Sequence, residues 1–203
     1  RVNLKDVERV IEGVGRAKRP GVNIFSPTSN DFLKKAKKSW QQAIDDTAAA
    51  VTHAKKQVDH ITFSAQDASR ADPVLLVRIC NAAIDAGATV ISIADSVSYA
   101  VPSQFGPLCQ FLLSQVSKSK QVTWSVHCHN EIGLAVANSL AAIENGIRQV
   151  ECTVDGIGEG EGNTPLQLIV QALHTRPDVF KNVTTAIAVE YFPGASQLLK
   201  EAA

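Results

Sequence analysis

Short runs of apolar, mostly β-branched residues alternate with longer amphipathic segments along most of this 203-residue chain. The runs are rich in Val, Ile, Phe and Thr, which is typical of strands buried on both faces of a parallel sheet. Each run begins 27 to 38 residues after the one before it, and this spacing suits βαβ units of about 30 residues. Five strands are therefore predicted, over residues 22–25, 60–64, 89–94, 122–127 and 149–154.

The segments between the runs show the spacing of apolar positions that is typical of amphipathic helices. In segment 72–86, Asp72 can cap the first turn, Pro73 suits that turn, and Gly87 follows the last residue. An apolar stripe spans 132–147, where Gly146 is expected to end the helix. Segment 34–56 contains neither Gly nor Pro and is predicted to form one helix. Helices are also predicted over residues 4–14 and 166–173 and in the tail 190–203.

Repeated strand–helix units allow two architectures, a closed (β/α)8 barrel and an open doubly wound sheet. The open sheet is less favoured, because no run is followed by a GxGxxG or GxxxxGKS/T phosphate-binding loop. A complete barrel needs about 250 residues, and this chain offers five clear strands and a weak sixth at 184–189. We therefore predict an α/β fold, an incomplete (β/α)8 TIM barrel over residues 1–203. Its first two strands are expected before Arg1, because the chain opens on a helix pattern.

Composition and charge exclude several classes of partner. The chain has 20 basic and 20 acidic residues and no net charge, so a nucleic-acid partner is not expected. No apolar run reaches the roughly 18 residues of a membrane span. The four cysteines form no CxxC pair. They are expected to be free thiols in a reducing compartment, the cytoplasm or an organelle stroma. The absence of methionine fits a fragment or a processed form.

The His127-Cys128-His129 triplet follows the fourth predicted strand and is the first candidate for chemistry. Residues i and i+2 of a strand point to the same face, so both imidazoles can enter one cavity as metal ligands. The alternative is one core histidine and one surface histidine. The strand-end position, followed by Asn130, favours the metal site, because functional residues of parallel barrels lie at the carboxyl ends of strands.

A glycine-rich segment, 156–163, follows the fifth predicted strand and ends at Asn163. Its glycines can let the backbone approach a ligand closely, although a flexible surface loop has the same composition. Asn163 precedes Thr164 and Pro165, so it can act as a helix cap. Alternatively, its amide oxygen can complete the metal site.

Segments 125–142 and 148–163 are similar to a signature of the 2-isopropylmalate synthases. Homocitrate and citramalate synthases and 3-hydroxy-3-methylglutaryl-CoA lyase share only the skeleton HxHN...G...GxGE..GN. The resemblance implies three metal ligands: His127, His129 and Asn163. It also implies a substrate pocket lined by Ser64, Gln66 and Ser96, and a loop near the site that contains Gly158, Glu159 and Gly162. The catalytic residues, a fourth metal ligand (Asp) and an arginine are expected upstream of Arg1.

The function implied by the resemblance is a metal-assisted condensation of acetyl-CoA with 2-oxoisovalerate in leucine biosynthesis. The cofactor is a divalent metal ion, Mn²⁺ or Mg²⁺ or else Zn²⁺, and the full-length protein is expected to be a homodimer. The leucine-binding regulatory domain of the family is not expected within residues 1–203. We expect the 203-residue chain alone to be inactive.

Several positions depart from the family pattern. Gln66 stands where Glu is usual, and Gly160 stands where Arg is usual, so the pocket loses one negative and one positive charge. Asn23 replaces a histidine, while Ser96 and Ser98 replace Thr and Gly. Two alternatives therefore stay open, a citramalate or related 2-oxo-acid synthase and an inactive remnant of the family.

Overall fold

Five parallel strands form one sheet in the order in which they follow each other along the chain. The computed structural model describes residues 1–202. The strands are β1 (Gly21–Pro27), β2 (His60–Gln66), β3 (Val90–Asp95), β4 (Thr123–Cys128) and β5 (Gln149–Glu151). An open doubly wound sheet reverses its strand order at a switch point, and this sheet does not. The predicted incomplete (β/α)8 barrel is therefore confirmed, and the open sheet is excluded.

Helices connect the strands and pack against the sheet and against one another. The residues predicted from the sequence to cap a helix do so in α4. The Asp72 carboxylate accepts hydrogen bonds from the backbone of Val74 and Leu75, and Gly87 ends the helix with φ +113°. The helices are α1 (Leu4–Val14), α2 (Asn30–Ala36), α3 (Trp40–Lys55), α4 (Pro73–Ala86), α5 (Pro102–Gln115), α6 (Ala135–Glu144), α7 (Leu166–Thr175) and α8 (Phe192–Ala202). No helix within residues 1–202 combines the length and the apolar character needed to cross a membrane.

The prediction of one helix over 34–56 is wrong, because the chain turns between α2 and α3. Lys37 adopts the left-handed conformation with φ +54°, and its backbone N–H closes α2. Ser39 and Gln42 then form a reciprocal capping box at the start of α3. A capping box supplies hydrogen bonds to the exposed N–H groups of a first turn, so it starts a new helix even without Gly or Pro.

Lys37→Gly should raise the free energy of unfolding by about 1 kcal/mol, because a left-handed conformation costs an L-residue roughly that much and glycine almost nothing. Lys34→Gly is the matched control. It lies inside α2 and should lower stability by about 1 kcal/mol through lost helix propensity. Urea unfolding of both variants measures the difference. Equal destabilisation by the two glycines would contradict the strain assigned to Lys37.

Two further predictions near the end of the chain need correction. The predicted strand 149–154 ends at Glu151, and a short 3-10 turn follows at Val154–Gly156. The predicted sixth strand at 184–189 is not a strand. Val183 packs beside Phe180 on the buried face of α7, and Thr184, Thr185 and Ile187 border a crevice beside that helix. Ile187 and Val189 of this segment are exposed, so its apolar residues neither pair with β5 nor enter the core.

The two faces of the sheet differ in polarity, and this difference creates the site. Residues that point towards the helices are apolar and fully buried, as shown by Phe63, Ile91 and Val126. The alternate residues point to the other face and are often small and polar, such as Ser92 and Ser125. Because side chains alternate along a strand, one face builds the core, and the other leaves room for a cleft.

The four cysteines are free thiols, as the sequence predicted. Burial raises the pKa of Cys80 and of Cys109 to about 12, so both stay protonated at neutral pH. Burial raises the pKa of the Cys128 thiol as well. The buried thiols therefore act as small apolar groups of the core.

Candidate active site

A cleft of about 490 Å³ opens at the carboxyl ends of the strands. Its walls come from every strand of the sheet and from the loops that follow β3, β4 and β5. Functional residues of parallel barrels gather at this end because the connecting loops there can vary without disturbing the core. The lining residues are Asn23, Phe25, Phe32, Ser64, Gln66, Ala94, Ser96, His127, His129, Glu131, Glu151, Glu159 and Gly160.

His127 and His129 lie side by side at the end of β4. Their ring centroids are 4.9 Å apart, and the rings meet at 70°. Each ring turns its Nδ1 atom towards a carboxylate, Glu151 at 3.5 Å for His127 and Glu131 at 3.4 Å for His129. Both Nε2 atoms are thereby left for another ligand. The two glutamates were not among the residues predicted from the sequence. Glu131 follows His129 by two residues, so the spacing that joins His127 to His129 continues to it.

Burial lowers the pKa of His127, against the opposing effect of the nearby Glu151 carboxylate. The pKa of Glu131 is also shifted. Burial acts to raise it, but hydrogen bonds from Ser98 and from its own backbone, together with the neighbouring His129, bring it below the ordinary value. A neutral imidazole beside an ionised carboxylate has a free lone pair for a metal ion.

Asn163 lies beside His129, and the two residues form an isolated antiparallel bridge. The Asn163 side-chain amide donates to the carbonyl of Ile157 at 3.1 Å. Its Oδ1 atom is buried and accepts no hydrogen bond from the described residues. Helix α7 begins at Leu166 with Pro165 at the cap position, so the interpretation of Asn163 as a helix cap is wrong. A buried amide oxygen without a donor is costly, and a bound cation would satisfy it.

The glycine-rich loop owes its composition to close backbone approach. A Cβ atom at Gly158 would lie 2.1 Å from the Asn163 amide nitrogen, and one at Gly162 would lie 2.1 Å from the Gly156 carbonyl. Gly162 also has φ +93°, which side chains rarely tolerate. Glu159 reaches the cleft, whereas Gly158, Gly162 and Asn163 are not among the residues that line it. The loop is thus packed around Asn163.

The two imidazoles and the Asn163 amide oxygen are a donor set that fits a divalent cation. Within residues 1–202, no three His, Cys, Asp or Glu side chains converge as a metal site by themselves. A metal site at His127 and His129 therefore needs a third protein donor of another kind, such as an amide oxygen.

The three predicted pocket residues, Ser64, Gln66 and Ser96, all line the cleft. The Ser64 hydroxyl donates to the side-chain oxygen of Asn23 at 2.8 Å. The Ser96 hydroxyl accepts from the backbone N–H of Asp67 at 3.0 Å, so it also ties the loop after β2 to the loop after β3. The Ser96 hydroxyl and the Gln66 amide can donate hydrogen bonds to an anionic substrate from this place.

An ion pair between a buried carboxylate and a partly exposed guanidinium lies at the rim of the cleft, and it was not predicted from the sequence. The Asp67 carboxylate is fully buried, and Arg70 contacts it at 2.6 Å. Ser29 donates a further hydrogen bond to the same carboxylate. The Arg70 guanidinium lies 5.9 Å from the Phe32 ring centroid and 6.0 Å from that of Tyr99. These contacts fix the loops around the cleft entrance.

Comparison with known proteins agrees with this architecture. The chain is 47% identical over 181 residues to a 2-isopropylmalate synthase of Halothermothrix orenii, covering 89% of the chain and 35% of that protein. It is 44% identical over 200 residues to a 2-isopropylmalate synthase of Pelotomaculum thermopropionicum, covering 98% of the chain and 39% of that protein. These matches confirm the resemblance read from the sequence. The chain spans little more than a third of these curated relatives.

Solved structures show the same fold. An HMG-CoA lyase from Acinetobacter baumannii, in complex with coenzyme A and 3-methylmalate, superposes with a TM-score of 0.78 at 20% identity. The match covers 97% of this chain and 65% of that one. The HMGL-like family profile matches residues 1–199. The chain therefore belongs to the HMGL-like family.

Proposed function

We propose that residues 1–203 are part of the catalytic barrel of a 2-isopropylmalate synthase, which condenses acetyl-CoA with 2-oxoisovalerate in leucine biosynthesis. The observation that carries this proposal is the pair of cleft-lining imidazoles, His127 and His129, in a chain 42–47% identical to synthases of that name. Assembly of the enzyme as a homodimer and a cytoplasmic location belong to the same proposal and rest on kinship alone.

A divalent metal ion, Mn²⁺ or Mg²⁺ or else Zn²⁺, would be held by His127, His129 and Asn163. When bound, it would supply Lewis-acid polarisation of the keto group of the 2-oxo acid. The orphaned Asn163 oxygen and the two imidazoles backed by carboxylates support this assignment. Because all three donors are neutral, they would leave most of the cation's charge available to the substrate.

The opposite wall of the cleft would bind the 2-oxo acid. The hydroxyls of Ser64 and Ser96 and the amide of Gln66 line this wall. The Ser96 hydroxyl and the Gln66 amide can each donate a hydrogen bond to a substrate carboxylate or keto oxygen, while Ser64 donates to Asn23. Gln66 carries no charge, so it does not repel the substrate carboxylate as a glutamate would. Acetyl-CoA would approach from the open mouth of the cleft, and an HMG-CoA lyase of this fold has been solved with coenzyme A.

A synthase for a different 2-oxo acid, such as citramalate synthase, is the second candidate. The polar lining at Asn23 and Gln66 is the feature that favours it, because side chains at this wall would contact the substrate's variable part. A pocket that accepts pyruvate in place of 2-oxoisovalerate needs only a change of size and polarity here.

A segment exchange tests the function directly. Residues 1–203 would replace the matching segment of the H. orenii synthase, and release of coenzyme A from acetyl-CoA would be followed with a thiol reagent. We expect release that depends on 2-oxoisovalerate, disappears with EDTA and returns with Mn²⁺. The 203-residue chain alone, assayed in parallel, is expected to show none.

The controls separate the candidates. Faster release with pyruvate than with 2-oxoisovalerate would favour citramalate synthesis. Release without any 2-oxo acid would indicate simple thioester hydrolysis and contradict the condensation. A chimera that melts cooperatively but releases no coenzyme A would favour an inactive copy of the family.

A further inference from the structure

Each imidazole of the pair lies beside a glutamate. One carboxylate oxygen of that glutamate faces the histidine, and the other accepts a hydrogen bond from a serine. Glu131 presents Oε1 to His129 and accepts on Oε2 from the hydroxyl of Ser98. Glu151 presents Oε2 to His127 and accepts on Oε1 from Ser125 at 3.3 Å. The same serine–glutamate–histidine order thus occurs twice at the end of β4.

We propose that Glu131, held by Ser98, is a positioning residue that fixes the ring orientation and the tautomer of His129. The carboxylate oxygen lies 3.4 Å from Nδ1 of the ring. At that place it favours the tautomer with the proton on Nδ1 and the lone pair on Nε2, which faces away from it. This inference rests on the proposed function, because a fixed Nε2 lone pair serves a histidine that binds a metal ion. It adds two side chains, Glu131 and Ser98, to the groups that determine the site.

Ser98 is built to hold this carboxylate. It is buried and adopts the left-handed conformation with φ +49°. Its hydroxyl accepts from the backbone N–H of Glu131 at 2.9 Å and donates to the Glu131 carboxylate. Because one hydroxyl contacts both the backbone and the side chain of Glu131, it fixes the rotamer of that glutamate across 33 residues of chain.

The loop after β5 reaches the same carboxylate. A Cβ atom at Gly160 would lie 2.6 Å from Glu131 Oε1, the oxygen that faces His129. Gly160 also has φ +63°, so a side chain there would be strained as well as crowded. A side chain at this position would therefore crowd the carboxylate oxygen that faces the imidazole. Three loops, after β3, β4 and β5, therefore meet at one glutamate.

Outer partners of this kind have two effects on a metal-binding histidine. They select the tautomer that leaves the other nitrogen unprotonated, and they hold the ring in place. Their loss typically lowers metal affinity by about 10- to 100-fold. Both effects can be measured without turnover, which separates positioning from general damage to the fold.

The test uses the chain as it is, in two measurements on Glu131→Gln, Ser98→Ala and Gly160→Ala. The first measurement is Zn²⁺ affinity by calorimetry. The second is the tautomer of His129 in the metal-free protein, read from nitrogen chemical shifts. Glu161→Gln is the matched control, because it removes the same charge from an exposed residue of the neighbouring loop.

We expect Glu131→Gln to weaken Zn²⁺ binding by about 10- to 100-fold. The same variant should change His129 from mainly Nδ1–H to a mixture of tautomers. Ser98→Ala and Gly160→Ala should move both readouts in the same direction, and Glu161→Gln should move neither.

An unchanged tautomer and unchanged affinity in Glu131→Gln would overturn the inference. If the unaltered chain binds no Zn²⁺, the proposed metal site fails. In that case an unchanged His129 tautomer in Glu131→Gln would overturn the inference too, and a changed one would support it.

Discussion

Replacing either His127 or His129 with alanine should raise the dissociation constant for Zn²⁺ by more than about 100-fold, since loss of an outer partner alone costs 10- to 100-fold. Both rings line one cleft, 4.9 Å apart, so each variant removes one of two imidazole donors from the same site. Calorimetric titration with Zn²⁺ measures the change. Asn163→Ala should weaken binding as well, because it removes the orphaned amide oxygen.

His174→Ala is the matched control for this prediction. His174 lies in the last turn of α7 and is exposed, so its loss removes an imidazole without touching the cleft. It should leave Zn²⁺ affinity unchanged. Equal affinity in the unaltered chain, the cleft variants and this control would show that zinc binds elsewhere, and the metal site at His127 and His129 would be rejected.

The same titrations should rank the metals, with Zn²⁺ bound more tightly than Mn²⁺ or Mg²⁺ by the 203-residue chain. Mg²⁺ and Mn²⁺ favour carboxylate oxygens, while imidazole suits Zn²⁺ well. His127, His129 and Asn163 offer two imidazoles and one amide, none of which carries a negative charge. Tighter binding of Mg²⁺ than of Zn²⁺ would indicate that a carboxylate of the cleft, Glu131 or Glu151, is itself a ligand.

Sequence patterns predicted the strands well because burial imposes a regular spacing on apolar residues. Each of the first four runs lies on or within one residue of its strand. The run at 149–154 was too long because Val154 packs in a turn yet has the same hydropathy as a strand residue. Likewise, 184–189 has strand composition without a strand beside it, since pairing depends on neighbours that a single segment does not reveal.

The same contrast between local patterns and contacts with distant segments decides which residues of the candidate site could be predicted. His127 and His129 could be identified from their two-residue spacing at a strand end, since that geometry is local. Glu151 and Ser98 could not, because the contact of Glu151 with His127 and that of Ser98 with Glu131 join separate loops or strands. The break at Lys37 was missed for a different reason. Its signal was the pair Ser39 and Gln42, which is local but was outweighed by the absence of Gly and Pro.

The second large effect is expected at the rim, where Arg70→Ala should lower the free energy of unfolding by about 2–3 kcal/mol. Removing one partner of a buried ion pair leaves the other charge unpaired, which costs about 3–5 kcal/mol when both are fully buried. Asp67 is fully buried, but a quarter of the Arg70 side chain is exposed, so solvent screening reduces the effect. Urea unfolding of the variant measures it.

Arg176→Ala provides the matched control, because Arg176 also donates two hydrogen bonds to the carboxylate of an aspartate, Asp178. Both partners of that pair are largely exposed, so water replaces the lost contact and the unfolding midpoint should hardly move.

Asp67→Asn in the Arg70→Ala background should then recover part of the lost stability, because it removes the unpaired charge while keeping an acceptor for Ser29. If Arg70→Ala and Arg176→Ala destabilise equally, burial of Asp67 is not what gives the rim pair its strength. If the double variant is no more stable than Arg70→Ala, the loss arises instead from the other contacts of Arg70, its ion pair with Asp31 and its stacking on Phe32 and Tyr99.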